Sequence, residues 1–196
     1  AKCYAWGEYK FGIGKKYRTF CCITLGTGIG CAYVDSGNLF FGGYPWGGVL
    51  GGHVSIDRNG PKCDCGNIGC FEMYCSKNGI LRILGESMPS MLASPDPIIS
   101  FFSSVRDGNI NSKEVFNDFL RNLATGLVTI INLYSPNAII LGGGIMNSSD
   151  IFLNELKEIV SERAFVVSGL ECSIEKATLG NYAPLLGAAF LPKMEN

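Results

Sequence analysis

Charge is what this sequence has least of. Asp, Glu, Lys and Arg make up 17% of its 196 residues, sixteen basic against seventeen acidic, for a net charge of −1. With no excess positive charge to displace counterions, a dedicated nucleic-acid or anionic-membrane surface is not expected on this chain. Long apolar runs are missing too: none approaches the length that crosses a bilayer, and a secretory leader is not expected. Histidine occurs once, as His53. The scarcity of charge is matched by 47% hydrophobic residues, which excludes a disordered or fibrous chain. A chain of this length buries roughly 70% of its unfolded surface, enough for a sizeable core.

Glycine and cysteine are abundant instead, with 26 and nine copies. The glycines follow no collagen-like period, so they point to backbone-shaped turns. The cysteines are too sparse and uneven for a disulfide scaffold. Cys3, Cys21, Cys22, Cys31, Cys75 and Cys172 sit in apolar stretches, where a free thiol behaves as a small hydrophobe. A reducing, cytoplasmic setting is the expectation. The chain does not begin with methionine, and Ala1 to Phe11 reads as a helix already under way, so a part of something longer is expected.

Periodicity places a helix over 1–12, a strand over 17–25, a glycine loop Gly26-Thr27-Gly28-Ile29-Gly30, a second strand over 31–34 and a return over 39–41, forming a β-meander. A glycine- and aromatic-rich loop with Tyr44, Pro45 and Trp46 follows, then a short strand over 53–56 and a polar loop over 57–70. From Phe71 the period becomes helical. Asn111-Ser112-Lys113-Glu114 resembles a capping box opening a long helix, whose apolar stripe runs from Val115 to Ile131 and stops at Ser135-Pro136. A buried strand over 138–141 reaches Gly142-Gly143-Gly144. A helix over 150–164, a strand over 170–174 and a small-residue helix over 182–190 close the chain. That order is α/β with a mixed sheet, without repeats or a linker that forces two domains.

The residues richest in chemistry are His53 and the C-x-C-x4-C set Cys63, Cys65 and Cys70. Three thiolates and one imidazole close a tetrahedral shell and leave no open position, which predicts structural rather than catalytic zinc. The intervening loop has almost no hydrophobic anchor, so it needs such a staple. Gly26 to Gly30 lies between strands and has Cys31 where a third glycine is wanted, so it fails as a dinucleotide fingerprint. It either presents N–H groups to a phosphate as a nest or forms a tight hairpin. Gly142 to Gly144 either admits a nucleotide or turns the chain.

The run Gly52-His53 … Gly60-Pro61-x-Cys63-x-Cys65-Gly66-Asn67-x-Gly69-Cys70-x-Glu72 resembles the zinc signature of the ROK family, which groups bacterial sugar kinases with sugar-responsive repressors. Gly7-Glu8-Tyr9-x-Phe11-Gly12, Leu25 to Gly30, Ile139 to Ile145 and Leu186-Gly187-Ala188-Ala189 resemble further segments of the family, so the likeness spans the whole chain. It implies one C-terminal lobe over 1–196, of actin-like ATPase (ribonuclease H-like) fold, with a zinc loop inserted at 53–70. It also implies sugar contacts from His53 and Glu72, and nucleotide contacts, if any, from Gly26, Thr27, Gly28, Gly142, Gly143 and Gly144. Glu72 reads equally as a carboxylate at a helix start.

Two departures qualify the likeness. The Asp-x-Gly-Gly-Thr phosphate loop of the kinases does not occur, and alignment of Gly7-Glu8 puts their catalytic aspartate just before Ala1. This stretch alone then has no base for a sugar hydroxyl, and ATP with magnesium belongs only to an intact kinase. The family's Gly-Glu-Ile-Gly-His stands here as Val49-Leu50-Gly51-Gly52-His53, and leucine accepts no hydroxyl proton. The expectation is the sugar-sensing part of a NagC-type regulator, with a glucokinase- or N-acetylhexosamine-kinase-type parent as the alternative. DNA would be bound only by a helix-turn-helix upstream of this stretch. The apolar face of the last helix, with Leu185, Leu186, Ala189 and Phe190, predicts a homo-oligomer.

Overall fold

A computed structural model describes residues 1–43, 47–165 and 172–191. Its frame is a mixed five-stranded sheet in the order β3-β2-β1-β4-β5. β1 (Thr19–Leu25), β2 (Ile29–Asp35) and the short β3 (Asn38–Leu39) form the expected antiparallel meander. β4 (Ala138–Gly142) and β5 (Ser173–Lys176) add in parallel on the other side of β1. Parallel neighbours need helical crossovers, and these supply the cover for one face, while helices before β1 and after β5 cover the other.

The two-residue period of β1 decides which face each side chain meets. Cys21, Ile23 and Leu25 join a core built largely from helices, while Phe20 and Cys22 point to the opposite face. On that second face lie α1 (Lys2–Phe11), through Tyr4, Ala5 and Trp6, and α7 (Ala183–Ala189). The two helices touch through glycine: a Cβ at Gly7 or Gly187 would collide with the other helix's backbone. Glu8 is fully buried there, yet it accepts hydrogen bonds from Ile13 N–H (3.0 Å), the Thr178 hydroxyl (3.1 Å) and Leu179 N–H (2.8 Å). Those donors replace water around the carboxylate.

The first face is covered by α3 (Lys77–Ser87), α4 (Pro97–Arg106), α5 (Ile110–Tyr134) and α6 (Leu153–Arg163). The α5 stripe of Phe116, Phe119, Leu120, Leu123, Leu127 and Ile130 is buried as its spacing requires. The helix stops at Ser135, left-handed at φ 44°, just before Pro136. It starts earlier than the expected capping box. Asn109 accepts from Ser112 N–H (3.0 Å), and the Ser112 hydroxyl is buried against that of Ser104 (2.8 Å).

Two further expectations are corrected. Residues 53–56 do not form a strand: Gly51–His53 is a 3-10 turn, and Ser55 makes only a single bridge to Cys70. The helix expected from Asp150 begins at Leu153, after a 3-10 stretch over Gly144–Ile151. β5 starts at Ser173; Leu170, Glu171, Tyr44, Pro45 and Trp46 lie outside the described residues. No helix among the described residues is long and apolar enough to cross a membrane.

Candidate functional site

The loop over 53–70 is a knuckle held by short-range pairing. Lys62 bridges Ile68, Cys63 N–H donates to Asn67 O (2.8 Å), and Gly66 N–H returns to Cys63 O (2.9 Å). Gly66 and Gly69 have φ of +92° and +63°, which only glycine adopts without strain, and a Cβ at Gly69 would collide with Asp57 O. Outside the knuckle, Tyr74 donates to Asp57 Oδ2 (2.8 Å). Burial, then the Asp57 carboxylate, pushes the Tyr74 phenol up to about 12. The Asn59 N–H, then the Tyr74 hydroxyl, holds Asp57 below the usual carboxylate range.

His53, Cys63, Cys65 and Cys70 converge inside this knuckle, with all their ligand atoms within 4.8 Å of one another. Cys63 Sγ lies 3.6 Å from His53 Nδ1, and Cys65 Sγ 3.6 Å from Cys70 Sγ. A tetrahedral ion with metal–sulfur bonds of about 2.3 Å sets its sulfur ligands roughly 3.8 Å apart, so the cluster has the size of a single-ion shell. The donor chemistry agrees, since thiolate and imidazole suit zinc-like ions and not magnesium or calcium. Cys63 and Cys70 are themselves among the few buried side chains of the loop, and Ile68 is 41% exposed. With so little apolar burial, the knuckle has its best candidate staple in these four donors. Burial pushes the Cys70 thiol up to about 12, whereas the Asn67 N–H pulls that of Cys65 down.

The cluster feeds directly into α2 (Glu72–Cys75). Phe71, between Cys70 and Glu72, is fully buried, and Gly126 of α5 lets its ring in: a Cβ there would lie 2.5 Å from that ring. The Glu72 carboxylate accepts from Ile29 N–H at 2.6 Å, over Gly28. It therefore acts on the β1–β2 loop, not on its own helix start. On the carbonyl side of Ile29, a Cβ at Gly52 would strike Ile29 O. The structure thus brings the Gly52-His53 segment and Glu72 to the same residue of β2. Leu50 precedes the 3-10 turn and accepts from His53 N–H (2.9 Å), with its side chain 65% exposed.

The two glycine segments also meet, because Thr24 and Gly142 are register partners at the carboxyl ends of parallel β1 and β4. Crevices at such strand ends are the usual ligand position of open α/β sheets. Leu25 pairs with Ile29, so residues 26–28 form a hairpin loop. Gly26, Gly28 and Gly30 have no positive φ, so the loop is not a nest; glycine at 28 and 30 serves close approach, by Glu72 and Thr24. Its carbonyls face α3, with Lys77 N–H donating to Gly26 O (2.8 Å) and Asn78 N–H to Thr27 O (3.4 Å). Gly143 is left-handed at φ 93°, and a Cβ on it would strike Leu25 O. Gly26, Thr27 and Gly144 line one cavity of about 340 Å³ with Lys77 and Ile98. Gly142 and Gly143 line a neighbouring one of about 210 Å³ with Tyr4 and Lys176. Lys77 and Lys176, each lining one cavity, and Asn147, which lines both, were not legible as site residues, since nothing in their local sequence marks them.

Among curated relatives, the chain is 34% identical over 183 residues to the xylose repressor of Bacillus subtilis, covering 93% of this chain and 46% of that protein. It is 34% identical over 207 residues to the glucokinase of Streptomyces coelicolor, covering 96% and 64%. The chain thus spans about half to two thirds of the length of these relatives. A solved ROK glucokinase from Streptomyces griseus, in complex with glucose and AMPPNP, superposes with a TM-score of 0.81 at 29% identity, covering 97% of this chain and 65% of that one. The sheet and its two helical layers therefore have the actin-like ATPase fold of those kinases. Residues 1–195 match the model described as the ROK family, and the chain belongs to that family.

Proposed function

We propose that the chain is the zinc-stapled, sugar-sensing part of a ROK transcriptional regulator, with His53, Cys63, Cys65 and Cys70 holding a structural zinc and with His53 and Glu72 facing the sugar. Zinc supplies rigidity here and no chemistry, since four protein donors leave no position for water or substrate. The observation that carries the reading is the continuity from the donor cluster through Phe71 to Glu72. A staple at Cys70 fixes the carboxylate two residues on, against Ile29 N–H. With Nδ1 turned to Cys63, the other imidazole nitrogen is left for a ligand. Leu50, exposed beside His53, has no acceptor for a sugar hydroxyl, which fits a sensor with no catalytic geometry to keep and fits an unusually selective kinase as well. DNA contact would belong to a segment beyond this chain.

The second reading, a sugar-kinase part, has its own support. The paired glycine segments and Lys77 bound a cavity at the strand ends, where Gly26, Thr27, Gly28, Gly142, Gly143 and Gly144 would take a nucleotide. Ala1, which the kinases' catalytic aspartate would directly precede, packs against Gly30 of β2.

Ligand-dependent thermal stabilisation and calorimetry of the zinc-loaded chain separate the two. A panel of xylose, glucose and N-acetylhexosamines is run with and without magnesium–ATP. The sensor reading expects a sugar response that needs no nucleotide and disappears when a chelator removes zinc. Glu72→Gln should weaken sugar binding roughly tenfold or more while zinc stoichiometry stays at one, since a hydrogen bond to a charged acceptor is worth about 1.5–3 kcal/mol. Saturable magnesium–ATP binding moves the assignment to the kinase part. No response to any sugar overturns both.

A further inference from the structure

The nine cysteines differ sharply in access. Cys21, Cys22, Cys31, Cys63, Cys70 and Cys75 are buried, Cys3 and Cys172 are intermediate, and Cys65 is the exposed one. It also has thiols in reach: Cys70 Sγ is 3.6 Å away, and Cys63 Sγ belongs to the same cluster, within 4.8 Å. A disulfide closes at about 2.05 Å, so the two sulfurs need to approach by roughly 1.5 Å. The backbone between them can yield. Gly66 and Gly69 both have positive φ, and around Gly66 there is open space. Cys63, buried like Cys70, is instead turned to His53 Nδ1 at 3.6 Å.

We propose that Cys65 is a peroxide-modification site, with Cys70 as its resolving partner, and that their oxidation releases the metal. This rests on the zinc reading above, not on the sugar or regulator readings. The Cys65 thiolate attacks one oxygen of a hydroperoxide, the O–O bond breaks, and the departing alkoxide or hydroxide takes a proton from water. The resulting sulfenic acid is attacked at sulfur by the Cys70 thiolate. An S–S bond forms, and the expelled hydroxide is protonated to water. Two thiolates have lost two electrons and the peroxide has gained them. The shell keeps only Cys63 and His53, too few to hold the ion, which leaves as hydrated zinc. A dithiol reverses the step and permits reloading.

The test treats the zinc-loaded chain with one equivalent of hydrogen peroxide and follows zinc with a chromogenic chelator. Cleavage before Asp64 separates Cys63 from a fragment that carries Cys65, Cys70 and the buried Cys75, and its mass and the pairing of its sulfurs are read. The expected result is release of one zinc per chain, loss of two hydrogens from that fragment, and full reloading after dithiothreitol and zinc. Cys65→His keeps four donors without the exposed sulfur, and its zinc should leave at least tenfold more slowly. Zinc retained while Cys3 or another thiol is oxidised overturns the inference, as does a disulfide that contains Cys63. Release from Cys65→His at the unchanged rate overturns it as well. A chain that takes up no zinc before peroxide fails the metal reading itself, whereas one that loads zinc and keeps it under peroxide fails only this inference.

Discussion

Single side chains here act at the junctions between segments, and Tyr74 with Asp57 is the clearest case. The pair joins α2 to the knuckle at 2.8 Å, and its two ionisations move apart. Tyr74 rises to about 12, chiefly by burial, so its contribution to stability is whole below about pH 10 and is lost as the pH climbs through 12. Asp57 is lowered, so its contribution is present above the ordinary carboxylate range and is lost as the pH falls through its reduced value. Asp57→Asn should therefore bring the Tyr74 ionisation down, measured by absorbance at alkaline pH or by carbon-labelled tyrosine resonances. It should stay above its ordinary value near 10, because burial is the larger cause and remains. A Tyr74 titration that does not move in Asp57→Asn removes the pair from the account. Nothing at either position marked it beforehand. A tyrosine on a four-residue helix and an aspartate in a polar loop have no shared pattern until the chain folds. The four candidate donors differ, because the knuckle is local and C-x-C-x4-C encodes its own spacing.

At the scale of elements, legibility followed how local the determinant is. The α5 stripe and the alternation of β1 were readable because burial imposes a period on the sequence itself. The start of α5 was missed by two residues because Asn109 competes with Asn111 as a cap, and only the buried Ser104–Ser112 contact decides between them. The absence of the short strand expected over 53–56 was not legible for a similar reason: the chain enters that stretch through a 3-10 turn at Gly51–His53, where glycine lets the backbone lie so close to Cys31 and Ile29 that a Cβ would collide with them. Phe71 shows what such tertiary decisions are worth. Its ring is buried against Gly126 and bridges the knuckle to the longest helix. Phe71→Ala should cost about 3–5 kcal/mol in chemical denaturation, as for other buried aromatics. It should also weaken zinc retention, since Cys70 and Glu72 flank the lost anchor. A loss below about 1 kcal/mol would mean that the knuckle and α5 are not coupled through this ring.

For the molecule as a whole, α7 leaves an account open that neither sheet face closes. Its inner side is consumed by contact with α1, where Ala183 and Gly187 are buried. Its outer side carries Tyr182, Leu185 and Phe190 at 71%, 67% and 58% exposure, extended by Phe11, whose ring meets that of Phe190 at 5.1 Å. Three exposed large apolar side chains within nine residues, joined by the Phe11 ring, concentrate apolar surface at this end of the chain, and such a surface is suited to contact. A two-fold arrangement lets the same patch serve both copies, which is the simplest closed solution available to the chain alone. The expected outcome in sedimentation equilibrium is a concentration-dependent dimer. Leu185→Asp should shift it to monomer with an unfolding temperature changed by only a few degrees at most, because an exposed side chain contributes little to the core. A chain that stays monomeric at the highest attainable concentration would show that the patch has no affinity for its own copy, and the homo-oligomer expected from the sequence would fall. Loss of folding in Leu185→Asp would instead place that side chain in the core, against its 67% exposure.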